Sequence, residues 1–142
     1  MAGERGFLGG GRFEPIELTA TIRPHVGKVT EWDVETALMA RLGGGGGLGR
    51  LVERQRACHD GKPDITITWG NILTIVELKW TVDQRALNQL TWYVNHALGH
   101  RRDDAGRSTV FGILAGTRIA DDLELPRWCA FQPLIVHVQA AA

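Results

Sequence analysis

Two acidic side chains and a lysine lie in an otherwise apolar stretch, PDITITWGNILTIVELKW, at residues 63–80. Asp64 follows a proline at one end of the stretch, and Glu77 and Lys79 lie near the other end. Charges in such a run are costly unless another group compensates them. Carboxylates bind hard divalent cations, and a lysine stabilises negative charge that develops in a reaction. The stretch is therefore the first candidate for a functional site.

A tight hairpin is predicted within this stretch. Strands are expected over residues 64–69 and 72–79, because both segments are rich in Ile, Thr, Val and Leu. Gly70 and Asn71 separate them, and two-residue loops of this kind are typical of hairpins. A two-residue loop fixes the register, since the numbers of paired residues then keep a constant sum.

That register pairs Asp64 with Glu77. Directly paired Cβ atoms lie about 4.5–5.5 Å apart on one face, where like charges repel each other. Lys79 is two residues beyond Glu77 and so points to the same face. A divalent cation would relieve the repulsion, whereas a salt-bridged hairpin end formed with Lys79 is the structural alternative. A slip of one residue would move the two acids to opposite faces.

The rest of the chain predicts an α/β domain around one mixed sheet. Thr30 suits the N-cap of a helix that begins at Glu31, and residues 83–98 have the apolar spacing of a second helix. The remaining expectations are strands over 16–23, from 51, over 110–115 and over 134–138, a charged loop at 101–107 and a short helix over 119–125.

Composition limits the class of protein. The chain has 142 residues, of which 44% are hydrophobic and 23% charged, as in a soluble globular domain. Cys58 and Cys129 are too few for a disulfide framework, and the N-terminal sequence lacks the apolar core of a signal peptide. A cytoplasmic protein without a membrane span is therefore expected. The formal net charge of +0 does not by itself indicate nucleic acid as a partner.

Pro63-Asp64, followed after twelve residues by Glu77-Leu78-Lys79, matches the PD-(D/E)xK nuclease motif. The sequence therefore resembles the PD-(D/E)xK superfamily, whose restriction-endonuclease-like core is a mixed sheet flanked by helices. This resemblance implies an extension over residues 1–25, partly flexible, and a nuclease domain over 26–142.

Two further features place the resemblance in the RecB-like branch. Gln89 and Tyr93 match its QxxxY element on the helix after the motif, and a helix with Glu31 and Glu35 lies upstream. The stretch from Glu31 to about Ala115 resembles the C-terminal nuclease domain of NucS-like endonucleases.

The resemblance implies roles for individual residues. The metal, Mg²⁺ or Mn²⁺, would be held by Asp64, Glu77, the carbonyl of Leu78, and Glu31. Glu35 lies one turn later on the same helix face, and Glu31 is preferred over it. Lys79 would position or activate the attacking water. Gln89 and Tyr93 would contact the substrate phosphate or order the lysine.

The expected function is a metal-dependent DNA endonuclease, working as a homodimer in repair, recombination or phage and defence processing. The alternatives are a non-catalytic DNA-binding or protein-interaction module on the same fold, and an exonuclease or junction-resolvase subunit. Trp80 and Trp92 either pack within the protein or stack on exposed bases. His96 and His100 share a helix face with Gln89 and are either solvated or phosphate contacts.

Overall fold

The structure, a computed structural model, describes six segments of the chain. They are residues 14–23, 27–43, 50–54, 63–105, 109–125 and 131–141. Cys58, Cys129 and most of the expected N-terminal extension lie outside the described residues. Within those segments no helix is long and apolar enough to cross a membrane.

Two helices and eight strands form the described part of the chain. The helices are α1 (Glu31–Gly43) and α2 (Gln84–Ala105). The strands are β1 (Ile16–Ile22), β2 (Arg50–Arg54), β3 (Ile65–Trp69), β4 (Ile72–Leu78), β5 (Thr81–Val82), β6 (Thr109–Gly116), β7 (Arg118–Ile119) and β8 (Phe131–Ala140).

Six of the strands form one mixed sheet in the order β1-β8-β6-β4-β3-β2. The pairs β1–β8, β8–β6 and β6–β4 are parallel, and β4–β3 and β3–β2 are antiparallel. Helix α1 packs on one face against β1, β2 and β3, and α2 packs mainly against β6 and β4. The expected α/β class, with a central mixed sheet flanked by helices, is therefore confirmed. Strand β1 lies within the first 25 residues and forms an edge of this sheet.

Each helix covers its own hydrophobic core. On the α1 side, Val34 and Leu38 pack with Ile65 and Val76 of the hairpin. On the α2 side, the fully buried Leu90 packs with Leu73, Leu114 and other buried side chains. Because α1 and α2 lie on opposite faces, the carboxyl end of β4 is reached by side chains from both helices.

The start of α1 follows from a reciprocal cap. The amide of Thr30 donates to Asp33 Oδ2 at 2.9 Å, and the amide of Asp33 donates to Thr30 Oγ1 at 3.3 Å. Two backbone N–H groups that the helix leaves without partners are satisfied in this way. The prediction of a helix beginning at Glu31 is confirmed.

The predicted hairpin register is also confirmed. Strands β3 and β4 pair from Trp69↔Ile72 at the turn to Ile65↔Val76 at the open end. Gly70 has a φ of 60°, a left-handed conformation that glycine adopts without steric cost. Asp64 lies one residue beyond the last ladder pair, at a bend in the chain.

Two expectations about other elements were wrong. The charged loop predicted at 101–107 is helical as far as Ala105, because Arg and Ala favour helices and the first glycine after Gly99 is Gly106. No helix forms over residues 119–125. Instead β7 pairs with β5 at the start of this segment, and tertiary pairing overrides the local propensity.

Candidate active site

The open end of the β3–β4 hairpin brings together the three charged residues of the opening stretch. Asp64 Oδ2 accepts a hydrogen bond of 2.7 Å from the amide of Leu78, which fixes the carboxylate across the end of β4. Glu77 is buried, with 3% of its surface exposed. Lys79 Nζ lies 3.9 Å from Glu77 Oε1, at the outer limit of an ion pair. The two acids therefore share a buried site at whose edge the lysine is half-exposed.

Glu77 is poorly compensated within this site. Its Oε2 atom is buried and receives no hydrogen bond from any residue that the structure describes. Burial, and after it the charge of Asp64, raises the pKa of Glu77 to about 8, while Lys79 partly opposes the shift. Two carboxylates hydrogen-bond only when one holds a proton, and the raised pKa of Glu77 supplies that proton near neutral pH.

Another buried carboxylate, Glu35 on α1, is electrostatically coupled to the two acids of this site. It is 4% exposed, and burial raises its pKa while a hydrogen bond from Arg54 opposes the rise. Asp64 raises the pKa of Glu35, and Glu35 in turn raises that of Glu77. Coupling of this kind requires the three carboxylates to be near neighbours.

Arg54 on β2 holds Glu35 in place. Its Nε donates to Glu35 Oε1 at 2.5 Å, and its terminal nitrogen donates to Trp32 O and Thr36 Oγ1, each at 2.7 Å. The guanidinium also lies 3.1 Å from the centroid of the Trp32 ring. An arginine with so many fixed contacts ties α1 to β2 and restricts the rotamers of Glu35.

Glu31, the preferred helix acid in the sequence, occupies the outer edge of the site. It is half-buried, and its Oε2 accepts a long hydrogen bond of 3.4 Å from the amide of Trp80. It lines an open cleft of about 330 Å³ together with Lys79, Gln89 and five neighbouring residues. Glu31 and Glu35 therefore approach the end of β4 at different depths, the first at the cleft and the second at the buried carboxylates.

Gln89 and Tyr93 lie one turn apart on α2. Gln89 is exposed in the cleft, and its Nε2 donates to the hydroxyl of Tyr93 at 3.1 Å. Tyr93 itself is buried in the core beneath α2, with 5% exposed. The structure thus places Gln89 beside Lys79 in the cleft, whereas Tyr93 contacts Gln89 from below.

Gly116 at the end of β6 supports the backbone of the site. A Cβ atom at this position would lie 2.4 Å from the carbonyl oxygen of Lys79 and 2.8 Å from Val82 Cγ2. The carbonyl of Trp80 accepts hydrogen bonds from the amides of Thr117 and Arg118 at 3.0 and 3.2 Å. Only glycine permits β6 to pass this close to the residues after β4. In the sequence, the glycine that ends the segment FGILAG was the signal that could have indicated this close approach.

The residues present fit a divalent cation. The described segments contain no group of three His, Cys, Asp or Glu side chains already arranged as a metal cage. They do contain an unbonded buried oxygen on Glu77, a neighbouring Asp64 carboxylate and a pKa of Glu77 that burial, and after it the charge of Asp64, raises. Oxygen donors of this type are those that Mg²⁺ and Mn²⁺ prefer.

A scan of protein-family models finds no match to the sequence, and a search of curated proteins finds none. Two solved structures are similar in fold. The structure of the EndoMS–dsDNA2 complex is 20% identical, with a TM-score of 0.48 over 66% of this chain and 39% of that chain. The crystal structure of a repair endonuclease from Pyrococcus abyssi is 19% identical, with a TM-score of 0.49 over 69% and 42%.

The chain spans about two fifths of the length of each of the two proteins. The similarity to both structures is at low identity.

Proposed function

We propose that this protein is a metal-dependent nuclease that hydrolyses phosphodiester bonds in DNA. The observation that carries the proposal is the buried Glu77 carboxylate, which has one oxygen without a donor and Asp64 as its neighbour. A structural salt bridge would be expected to satisfy both acids, whereas Lys79 Nζ stays 3.9 Å from Glu77. Uncompensated carboxylates with strongly raised pKa values mark functional sites more often than structural ones.

Three oxygen donors at the end of β4 would hold the metal ion. They are the carboxylates of Asp64 and Glu77 and the backbone carbonyl of Leu78. Glu35 or Glu31 would complete the set, and the burial of Glu35 beside the other two acids favours Glu35 as the inner ligand. When bound, a divalent ion supplies positive charge to the phosphate and lowers the pKa of water.

The remaining groups of the cleft act on the substrate. Lys79 leaves β4 towards the open cleft, with 45% of its side chain exposed, so its ammonium group can order a water and oppose charge on the phosphate. Gln89 offers an amide to a phosphate oxygen from the same cleft. Arg85 adds a second cation to the lining. An anionic strand is the substrate that this combination of acids below and cations at the edge fits.

Arg54 takes the part of a positioning residue in this proposal. It does not reach the cleft through any described contact, and its donors are used on Glu35, Trp32 and Thr36. By fixing Glu35 against β2 it keeps that carboxylate at one distance from Asp64. Arg54 therefore holds the buried carboxylate of Glu35 in position.

A cleavage panel tests the proposal. Single-stranded, duplex, mismatched, flapped and four-way DNA are incubated with the protein in Mg²⁺, in Mn²⁺ and in chelator. At least one substrate should be cut with metal and none in chelator. Asp64→Ala and Lys79→Ala should abolish cutting with the fold retained, while Trp69→Ala at the hairpin turn should cut normally. A fully active Asp64→Ala protein would refute the site assignment.

A further inference from the structure

A second open cleft continues the candidate active site along α2. It has a volume of about 390 Å³ and is lined by Arg85, Asn88, Gln89, Trp92 and Tyr93. Arg85 and Gln89 also line the cleft that contains Lys79. The two clefts therefore meet at these side chains, and a strand bound at Lys79 can run on along the helix.

Trp92 forms the far wall of this second cleft. Its side chain is large, apolar and 43% exposed, although it lies beside a polar cleft. One face of the indole stacks on His96, with the ring centroids 4.9 Å apart and the planes inclined by 11°. Tyr93 packs edge-on against it at 5.6 Å and 78°. The ring is thus held in one orientation by two aromatic neighbours.

The other face of the indole is directed towards the cleft. His96 follows Trp92 on α2 by one turn, whereas Arg85, Asn88 and Gln89 precede it. The stacked histidine is therefore not part of the lining of the cleft, whereas the indole is. An aromatic face that is rigid, exposed and flanked by a cation is the surface on which nucleic-acid bases stack.

We propose that Trp92 is a stacking subsite for an unpaired DNA base next to the scissile phosphate, with Arg85 contacting the connecting phosphate. This inference rests on the proposed nuclease function and names the form of DNA that the cleft takes. Bases inside a duplex are covered on both faces by their neighbours, so only an unpaired or extruded base offers a face to the indole. Arg85 and Trp92 are seven positions apart along the helix, which corresponds to a rise of about 10 Å.

Charge in the two clefts agrees with an anionic strand. Arg85 lies at the junction of the clefts and Lys79 at the proposed site of cleavage. Asp83 also lines the first cleft, but its Oδ1 accepts a hydrogen bond of 3.0 Å from the amide of Ala86 and so caps α2. Its charge is directed at the helix N-terminus, which favours an anion there.

Binding of DNA without metal tests the proposal separately from catalysis. A fluorescein-labelled single strand of 20 nucleotides and a blunt duplex of the same sequence are titrated in chelator, followed by anisotropy. Trp92→Ala should weaken single-strand binding by about 5-fold to 100-fold, the range that loss of one base–aromatic stack gives. Duplex binding should change by less than about 2-fold. Trp92→Phe should retain most of the single-strand affinity.

Trp69→Ala is the matched control, because Trp69 is 55% exposed and lies at the turn of the hairpin, away from the α2 surface. It should bind both DNA forms as the wild type does. An equal loss in Trp69→Ala, or an equal loss of single-strand and duplex binding in Trp92→Ala, would overturn the stacking subsite. Capture of single strands by a protein that cuts no DNA would instead refute the nuclease proposal and leave the subsite standing.

Discussion

Two buried glutamates of this protein have opposite electrostatic surroundings. Glu35 in α1 and Glu77 in β4 are 4% and 3% exposed, and burial is the largest cause of the raised pKa of each. Glu35 has a partner, Arg54, whose Nε lies 2.5 Å from its Oε1. Among the described residues, Glu77 has an ion pair with Lys79 at 3.9 Å, and its Oε2 has no donor.

The difference shows that the fold compensates the charge of Glu35 better than that of Glu77. For Glu35 the second-largest influence on the pKa is the hydrogen bond from Arg54, which lowers it. For Glu77 the second-largest influence is the charge of Asp64, which raises it. The contrast agrees with the proposed function, in which Glu77 binds a metal ion and Glu35 is held by Arg54.

The largest expected effect separates activity from stability at Glu77. Glu77→Gln removes a metal ligand, and we expect cleavage to fall by about 10³-fold, or about 4 kcal/mol of transition-state stabilisation. The same change removes a buried, repelled charge, so the free energy of unfolding in chelator at pH 8 should rise or stay equal. Initial cleavage rates in Mn²⁺ and urea melts in chelator measure the two effects. Wild-type cleavage by this variant would exclude Glu77 as a ligand.

The next effect is a loss of stability at the other glutamate. Arg54→Ala leaves Glu35 buried without its cation, and we expect the free energy of unfolding to fall by about 2–3 kcal/mol. Adding Glu35→Gln should restore part of this loss, since a neutral amide needs no counter-charge. Urea melts of the two single variants and the double variant give the coupling energy.

Arg41→Ala is the control for Arg54→Ala. Arg41 is an exposed arginine of α1 whose one described contact is a 3.2 Å hydrogen bond to the carbonyl of Thr19. Its removal should change stability by less than about 0.5 kcal/mol. Equal losses at both arginines would mean that the Glu35 pair is no stronger than a surface contact.

A substitution that shifts the backbone at the end of β4 tests how the position of Lys79 affects Glu77. Gly116→Ala would force apart Lys79 and Gly116, because its Cβ would lie 2.4 Å from the Lys79 carbonyl oxygen. We expect a loss of about 1–3 kcal/mol in stability and about 10-fold in cleavage, as the lysine moves away from Glu77. Gly99→Ala in α2 meets nothing within 4 Å and should stabilise by about 0.5–1 kcal/mol. Unchanged activity in Gly116→Ala would show that Lys79 tolerates displacement.

The sequence predicted the local parts of this site better than its tertiary parts. The two-residue turn at Gly70 sets a register that carries Asp64 to Glu77, and the Thr30 cap sets the start of α1. The contact of Arg54 with Glu35 joins residues 19 positions apart. It depends on how β2 lies against α1, which no local pattern encodes. Pairing of β7 with β5 likewise overrode the predicted helix at 119–125.

The last effect is the pH dependence of the metal-free protein. The ordinary pKa of a glutamate is 4.5, and that of Glu77 is raised to about 8, so between these values the folded state holds a proton that the unfolded state has lost. The free energy of unfolding should therefore fall as the pH rises from about 5 to about 8. The slope contributed by one group is at most about 1.4 kcal/mol per pH unit.

Glu77→Gln is the variant that isolates this slope. The raised pKa of Glu35 acts in the same direction and stays in both proteins, so the difference between their pH profiles belongs to Glu77 and its partner Asp64. Melting temperatures in chelator from pH 5 to pH 8 should converge at the acid end and separate at the alkaline end in favour of the variant. Mn²⁺ at pH 8 should then raise the melting temperature of the wild type more than that of Glu77→Gln. Parallel profiles with equal metal shifts would place the titrating carboxylate elsewhere, and the contrast between the two buried glutamates would lose its chemical meaning.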